Sequence, residues 1–214
     1  MDLFGYLGPL GQGLVVSLQL TVLSVVFGYV LGLLLALGVA SQRPWLKWPT
    51  LVIVEIGRGI PALVVLYIVY FGLPSLDVVF DSFWSAAAGL TFTAGAYSSE
   101  MIRAGIQSVA RGQSEAAAAL GLTGATSFLR IVLPQGLRSA IPPLMGLAIM
   151  SFQATSLAYS ISANELMAEA YRTASVTFEY LQVYALTGLT YAAISVPATW
   201  LSVLVERRLA QGHA

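Results

Sequence analysis

Forty consecutive residues, 3–42, carry no charged side chain, and residues 14–40 are almost continuously apolar. A helix needs ~20 apolar residues to cross the hydrocarbon core of a bilayer. This stretch is longer, so it predicts a membrane-spanning helix. Four more charge-free stretches follow, at residues 59–76, 82–99, 139–164 and 180–205. The second is lengthened backwards by apolar residues 51–54, and the helix of the third continues past Glu100 to about Val109. Pro142 and Pro143 should kink the first turns of the fourth. The expectation is an all-α integral membrane protein with five transmembrane helices.

Composition points the same way. Of 214 residues, 57% are hydrophobic and 9% charged, against about a quarter charged in soluble domains. So few polar side chains cannot cover a water-facing surface. Net charge is zero, so no basic patch argues for nucleic acid. Cysteine is absent, which excludes disulfide frameworks, thiolate metal sites and cysteine nucleophiles. The start, Met1-Asp2-Leu3, lacks a positive n-region, and the apolar run behind it is longer than a signal-peptide core. It reads as a retained first span.

Basic residues orient the spans, because cytoplasmic loops carry their excess. Arg43 and Lys47 lie between the first two spans, Arg103, Arg111, Arg130 and Arg138 around the loop between the third and fourth, and Arg207 with Arg208 after the fifth. The opposite loops hold Arg172 alone, among Asp77, Asp81, Glu165, Glu169 and Glu179. This places the N-terminus outside and the C-terminus in the cytoplasm. No repeat or linker divides the chain, so residues 1–214 form one transmembrane domain.

Catalytic motifs are missing. A phosphate-cradling loop needs a lysine after its glycines, and Lys47 is the chain's one lysine. A serine–lysine dyad would have to use it too. The single histidine, His213, is next to last and cannot anchor a metal cluster or triad. The expectation is no enzyme, metal or cofactor in this chain.

One polar island interrupts the apolar spans: Gly112-Gln113-Ser114-Glu115-Ala116-Ala117-Ala118-Ala119-Leu120-Gly121, running on to Leu133-Pro134-Gln135. Ser114 can cap a short helix, Glu115 suits its positive N-terminal end, and Gly121 can close it in a left-handed turn. Four alanines leave the helix almost without side-chain bulk. The segment, about 111–127, resembles the cytoplasmic EAA coupling loop of bacterial ABC importer permeases. The resemblance implies that Gly112, Gln113, Glu115, Ala116, Ala117, Leu120 and Gly121 seat in a cleft of an ATPase subunit.

Other stretches are similar to the polar amino acid subgroup of that family: Glu55-Ile56-Gly57-Arg58-Gly59-Ile60-Pro61 leading to Tyr70-Phe71-Gly72-Leu73-Pro74; 96–106, around Tyr97 and Glu100; and Thr155-Ser156-Leu157 with Ile161 and Glu165-Leu166. The resemblance implies a type I importer permease fold in the bacterial cytoplasmic membrane. It also implies two ATPase subunits that use ATP and Mg, a second permease chain, identical or paralogous, and an extracytoplasmic binding protein that delivers an amino acid. Other small polar solutes, such as an opine or cystine, fit the same family. An ATP-independent secondary transporter or channel is the competing class. Where the family commonly has a lysine and an acid before Thr-Ser-Leu, this chain has Gln153 and Ala154, so that region is more neutral.

Intramembrane polar residues are the candidate site. Glu100 falls near the midplane, where a carboxylate costs ~2.5–3.5 kcal/mol. Tyr97, three residues earlier, shares its helix face. Together they can receive the substrate's ammonium group, or Glu100 can pair with Arg103. Glu55 and Arg58 form a charged gate or an interfacial structural pair, with Pro61 marking a restart or bend. Gln153, Thr155 and Ser156 can hydrogen-bond a ligand or a neighbouring helix. Glu165 and Glu169, beyond the fourth span, are solvated or meet the binding protein. Pro134, Pro142 and Pro143 break the fourth helix near its cytoplasmic side.

Overall fold

The computed structural model describes residues 3–211; Met1, Asp2 and His213 lie outside that range. The described residues are helical, with no strand among them. The main helices are α1 Leu7–Val39, α2 Pro44–Gly59, α3 Ala62–Tyr67, α4 Ser82–Gln107, α5 Arg111–Ala119, α6 Gly124–Ser127, α7 Leu133–Ala154, α8 Leu166–Thr177 and α9 Tyr180–Gln211.

The centre is α4, which packs against α1, α2, α3 and α7. Its buried face is built of small residues, including Ala86, Gly89, Ala94, Gly95, Ser98 and Ser99, which let neighbouring backbones come close. Gly57 of α2 shows why size matters, since a Cβ there would lie 2.6 Å from the Ala96 Cβ. Leu20, Leu66, Leu90 and Ile161 close the main core between α1, α3, α4 and the turn after α7. Asp81 caps α4, its side chain accepting from the Trp84 N–H at 2.9 Å.

Three helical stretches, Leu7–Val39, Gly124–Ile161 and Tyr180–Leu209, are long and apolar enough to cross a membrane. The pair Pro44–Gly59 and Ala62–Leu76 qualifies as a fourth, bent by 107°. The second stretch is therefore not one straight span. Pro61 cannot donate a backbone hydrogen bond, Ile60 before it is extended at ψ 130°, and the helix restarts in a new direction. α4, with 26 residues, has the length to span but is rich in small and polar residues. Such a composition suits a helix surrounded by other helices. α9 is the opposite: only 6% of its most apolar window is buried.

Two local expectations are corrected. Pro142 and Pro143 do not break their helix, because α7 runs continuously through them. The irregular backbone sits at its ends, as a π-helical turn at Phe128–Val132 and a 3₁₀ turn at Thr155–Ile161. Pro134 follows closely on the π-helical turn, inside a helical run that continues from Gly124, so the irregular backbone on that side lies where Pro134 lacks an N–H. Ser114 is no cap: α5 starts three residues earlier, after Ala110 at ψ 133°. Glu115 is thus the helix's fifth residue and beyond its first turn.

Candidate functional site

The break between α2 and α3 opens a cavity of ≈ 590 Å³ against α4 and α7. α2 ends with carbonyls that lack helical partners, as every helix does. Tyr97 of α4 reaches one of them, its hydroxyl donating to the Arg58 carbonyl at 3.2 Å. Tyr97 thereby braces the break while its ring lines the cavity. α4 contributes Leu90, Thr93, Ala94, Tyr97 and Met101, and α7 contributes Leu147, Met150, Ser151 and Ala154. These are two helix faces at the spacing i, i+3, i+4, i+7. Arg58 is the one charged residue in the lining.

Glu100 does not share this cavity. It lines a second one, ≈ 500 Å³, between α1, α2 and α4 with Lys47, Glu55 and Arg103. Arg103 grips it twice, Nε donating to Oε1 at 2.9 Å and Nη2 to Oε2 at 2.5 Å. Arg58 lies 3.9 Å from the same carboxylate and 3.5 Å from Glu55. The four form a neutral network of two acids and two arginines. Arg58 therefore joins the two cavities, with its guanidinium in the network and its backbone at the break.

Of the polar residues on the fourth stretch, Gln153 donates from Nε2 to the Ser195 Oγ of α9 at 3.4 Å. Ser156 donates back to the Gln153 carbonyl at 2.8 Å. Thr155 is fully buried and donates to the Phe152 carbonyl at 2.7 Å. None of the three is in the lining of the cavity that holds Tyr97.

Glu165 is not solvated: it is fully buried. Its carboxylate accepts from the N–H groups of Met167 and Ala168, both at 2.9 Å, capping α8. It also accepts from Ser17 of α1 at 3.3 Å and Tyr191 of α9 at 3.2 Å. Burial outweighs these donors and leaves its pKa above the usual carboxylate range. Glu169 pairs with Arg172 at 2.9 Å.

α5 ends in a two-bond turn. Gly121 has φ +76°, its N–H donates to the Ala118 carbonyl, and the Leu122 N–H donates to the Ala117 carbonyl. A residue with a Cβ would be strained at that φ. Ala117 is buried, Leu120 is 81% exposed, and Gln113 is braced by Gln135 Nε2 at 3.4 Å.

Sequence reasoning missed Thr93, Met101, Met150 and Ser151. The signal was available for α4, because Thr93 and Met101 stand four residues to either side of Tyr97.

Residues 28–211 match the family described as binding-protein-dependent transport system inner membrane component. The chain belongs to this family. It is 36% identical over 197 residues to the probable amino-acid ABC transporter permease protein YckA of Bacillus subtilis (strain 168), covering 92% of this chain and 87% of the relative. It is 34% identical over 200 residues to the arginine transport system permease protein ArtQ of the same organism, covering 92% and 91%. Among solved structures, an amino acid ABC transporter with histidines superposes with a TM-score of 0.91 at 31% identity, covering 97% of this chain and 99% of that one. The MetNI methionine ABC transporter, at 21% identity and a TM-score of 0.74, shares the fold. This inner-membrane component thus has amino-acid ABC permeases as relatives and a helical fold like theirs.

Proposed function

We propose that the chain is the permease subunit of an ATP-driven importer that takes a polar amino acid from an extracytoplasmic binding protein. The observation that carries this is α5, a short helix that ends in four alanines, closed by Gly121 and with Leu120 beside it 81% exposed. It suits the cleft of an ATPase subunit, where ATP and Mg would be held. Five crossings follow if α2 and α3 form one broken span and α4 is the third. The N-terminus is then outside, and α5 and the C-terminus are cytoplasmic. Residues 1–214 act as one domain, paired with a second permease chain because α9 is so little covered. Two ATPase subunits complete the complex.

The ligand would lie in the cavity at the α2–α3 break. Arg58 can meet an α-carboxylate by exchanging its long contacts to Glu55 and Glu100, and Tyr97, Thr93 and Ser151 offer hydroxyls. Met101 and Met150 suit a neutral side chain better than a cationic one. Relatives named for L-cystine and octopine transport keep those solute classes as the second reading.

The chain has no cysteine, so one introduced thiol reports alone. Leu120→Cys should crosslink to an ATPase subunit in the purified complex, and Val79→Cys on the outer turn should not. Equal crosslinking at both positions, or none at Leu120→Cys, would remove the coupling role.

A further inference from the structure

We propose that the outer end of α8 and its turn into α9 form a docking surface for a protein that presents a carboxylate. On the importer reading, which this inference presupposes, that protein is the binding protein. A notch of ≈ 350 Å³ lies between the turn after α7 and α8, walled by Tyr159, Tyr171, Arg172, Asn164 and Ser175. The Tyr159 and Tyr171 rings are 5.1 Å apart. The Ser175 hydroxyl is buried there with no hydrogen-bond partner, an unusual state for a polar atom.

Charge selects the occupant. Glu165 is buried, Glu179 accepts from the Tyr6 hydroxyl, Asp81 caps α4, and Glu169 is only 12% exposed against Arg172. The acids that begin, lie on and follow α8, Glu165, Glu169 and Glu179, are thus engaged within the chain, and among the described residues no acid lines the notch itself. Arg172 is 61% exposed. It donates from Nη1 to Glu169 at 2.9 Å and from Nη2 to Asn164 Oδ1 at 3.0 Å. A guanidinium has five N–H donors, so it keeps others for an incoming carboxylate while these two contacts hold it in place.

Shape selects a protein over a small solute. Sites for small molecules enclose most of their ligand, whereas Tyr171 and Arg172 leave this notch open. Beside it, Phe178 adopts φ +60°, a left-handed conformation in which a bulky residue is strained. Its N–H closes α8 on the Ala174 carbonyl at 2.7 Å, a position that glycine fills without strain. An aromatic side chain is instead held there 79% exposed, beside exposed Val176 and Leu181. Strain kept at a surface marks function, and aromatic and arginine side chains are the usual anchors of protein interfaces.

The test uses the complete complex in lipid nanodiscs and reads the binding-protein concentration that half-maximally stimulates ATP hydrolysis. Arg172→Glu should raise it about tenfold with the maximal stimulated rate retained. Phe178→Gly should raise it roughly threefold even though relief of the left-handed strain makes the chain more thermostable. Val79→Ser, on the other outer turn, should leave it unchanged. If both variants at 172 and 178 match wild type, the docking surface is wrong. A Phe178→Gly effect confined to lipid dependence overturns it in favour of an outer-leaflet anchor. A wild-type complex that ignores the binding protein overturns the importer reading itself, which is a distinguishable result.

Discussion

Two carboxylates in this apolar chain are held in opposite ways. Glu165 is fully buried and accepts from four neutral donors on α1, α8 and α9. Glu100 is held by arginines, Arg103 tightly and Arg58 at 3.9 Å, and its side chain is 22% exposed to a cavity. Neutral donors on three helices fix a group in place, since losing it strands each of them. Ionic partners beside a water-accessible cavity can be exchanged. The difference separates a pin that ties α1, α8 and α9 together from a network that can respond to a moving solute or helix.

Replacing the pin should have the largest effect on folding. Glu165→Ala should destabilise the purified chain by roughly 3–5 kcal/mol, because buried donors lose their acceptor. Glu165→Gln should cost about 1–2 kcal/mol, as one carbonyl oxygen still accepts. Thermal unfolding in detergent checks both, and equal stability of all three proteins would break the contrast.

The pin also carries a pH signature. A carboxyl whose folded pKa is raised binds more protons folded than unfolded in the window between the two values. Its contribution is therefore fully present below the ordinary glutamate pKa and lost as pH rises through the raised one. Stability of wild type should fall across that window, and Glu165→Gln should lack that part of the slope.

Much of this contrast was hidden in the sequence, for a physical reason. The spans at α1 and α9 were legible because charge is absent over whole membrane lengths, and Pro61 announced the α2–α3 break. The surroundings of Glu165 were not legible, because Ser17 and Tyr191 lie 148 and 26 positions away. A glutamate after a span reads as solvated until tertiary packing supplies its donors. Ser114 was misplaced because a cap is decided by where the incoming chain turns extended, and that is at Ala110. Proximity on α4 suggested that Tyr97 and Glu100 share one pocket. The two are neighbours on α4, but Tyr97 is enclosed by α7 and the α2–α3 break while Glu100 is enclosed by α1 and α2, so tertiary packing and not helix spacing divides them. Pro142 and Pro143 suggested a break, but α7 is one helix from Leu133 to Ala154.

The network should respond in the other direction. Glu100→Gln should change stability by about 1 kcal/mol or less, since a partly exposed ion pair is weak, yet lower transport about tenfold. Uptake rates and apparent affinity in proteoliposomes check this. Unchanged values would make Glu100 as structural as Glu165 and erase the distinction.

The importer reading itself is tested most directly by ATP-driven amino acid uptake in proteoliposomes holding the complete complex. Wild type is compared with a chain carrying Glu115→Ala and Gly121→Ala together. The predicted result is continued ATP hydrolysis with uptake lost and the chain still inserted and assembled. Uptake that survives both changes, and persists when the ATPase subunits are left out, would contradict the account.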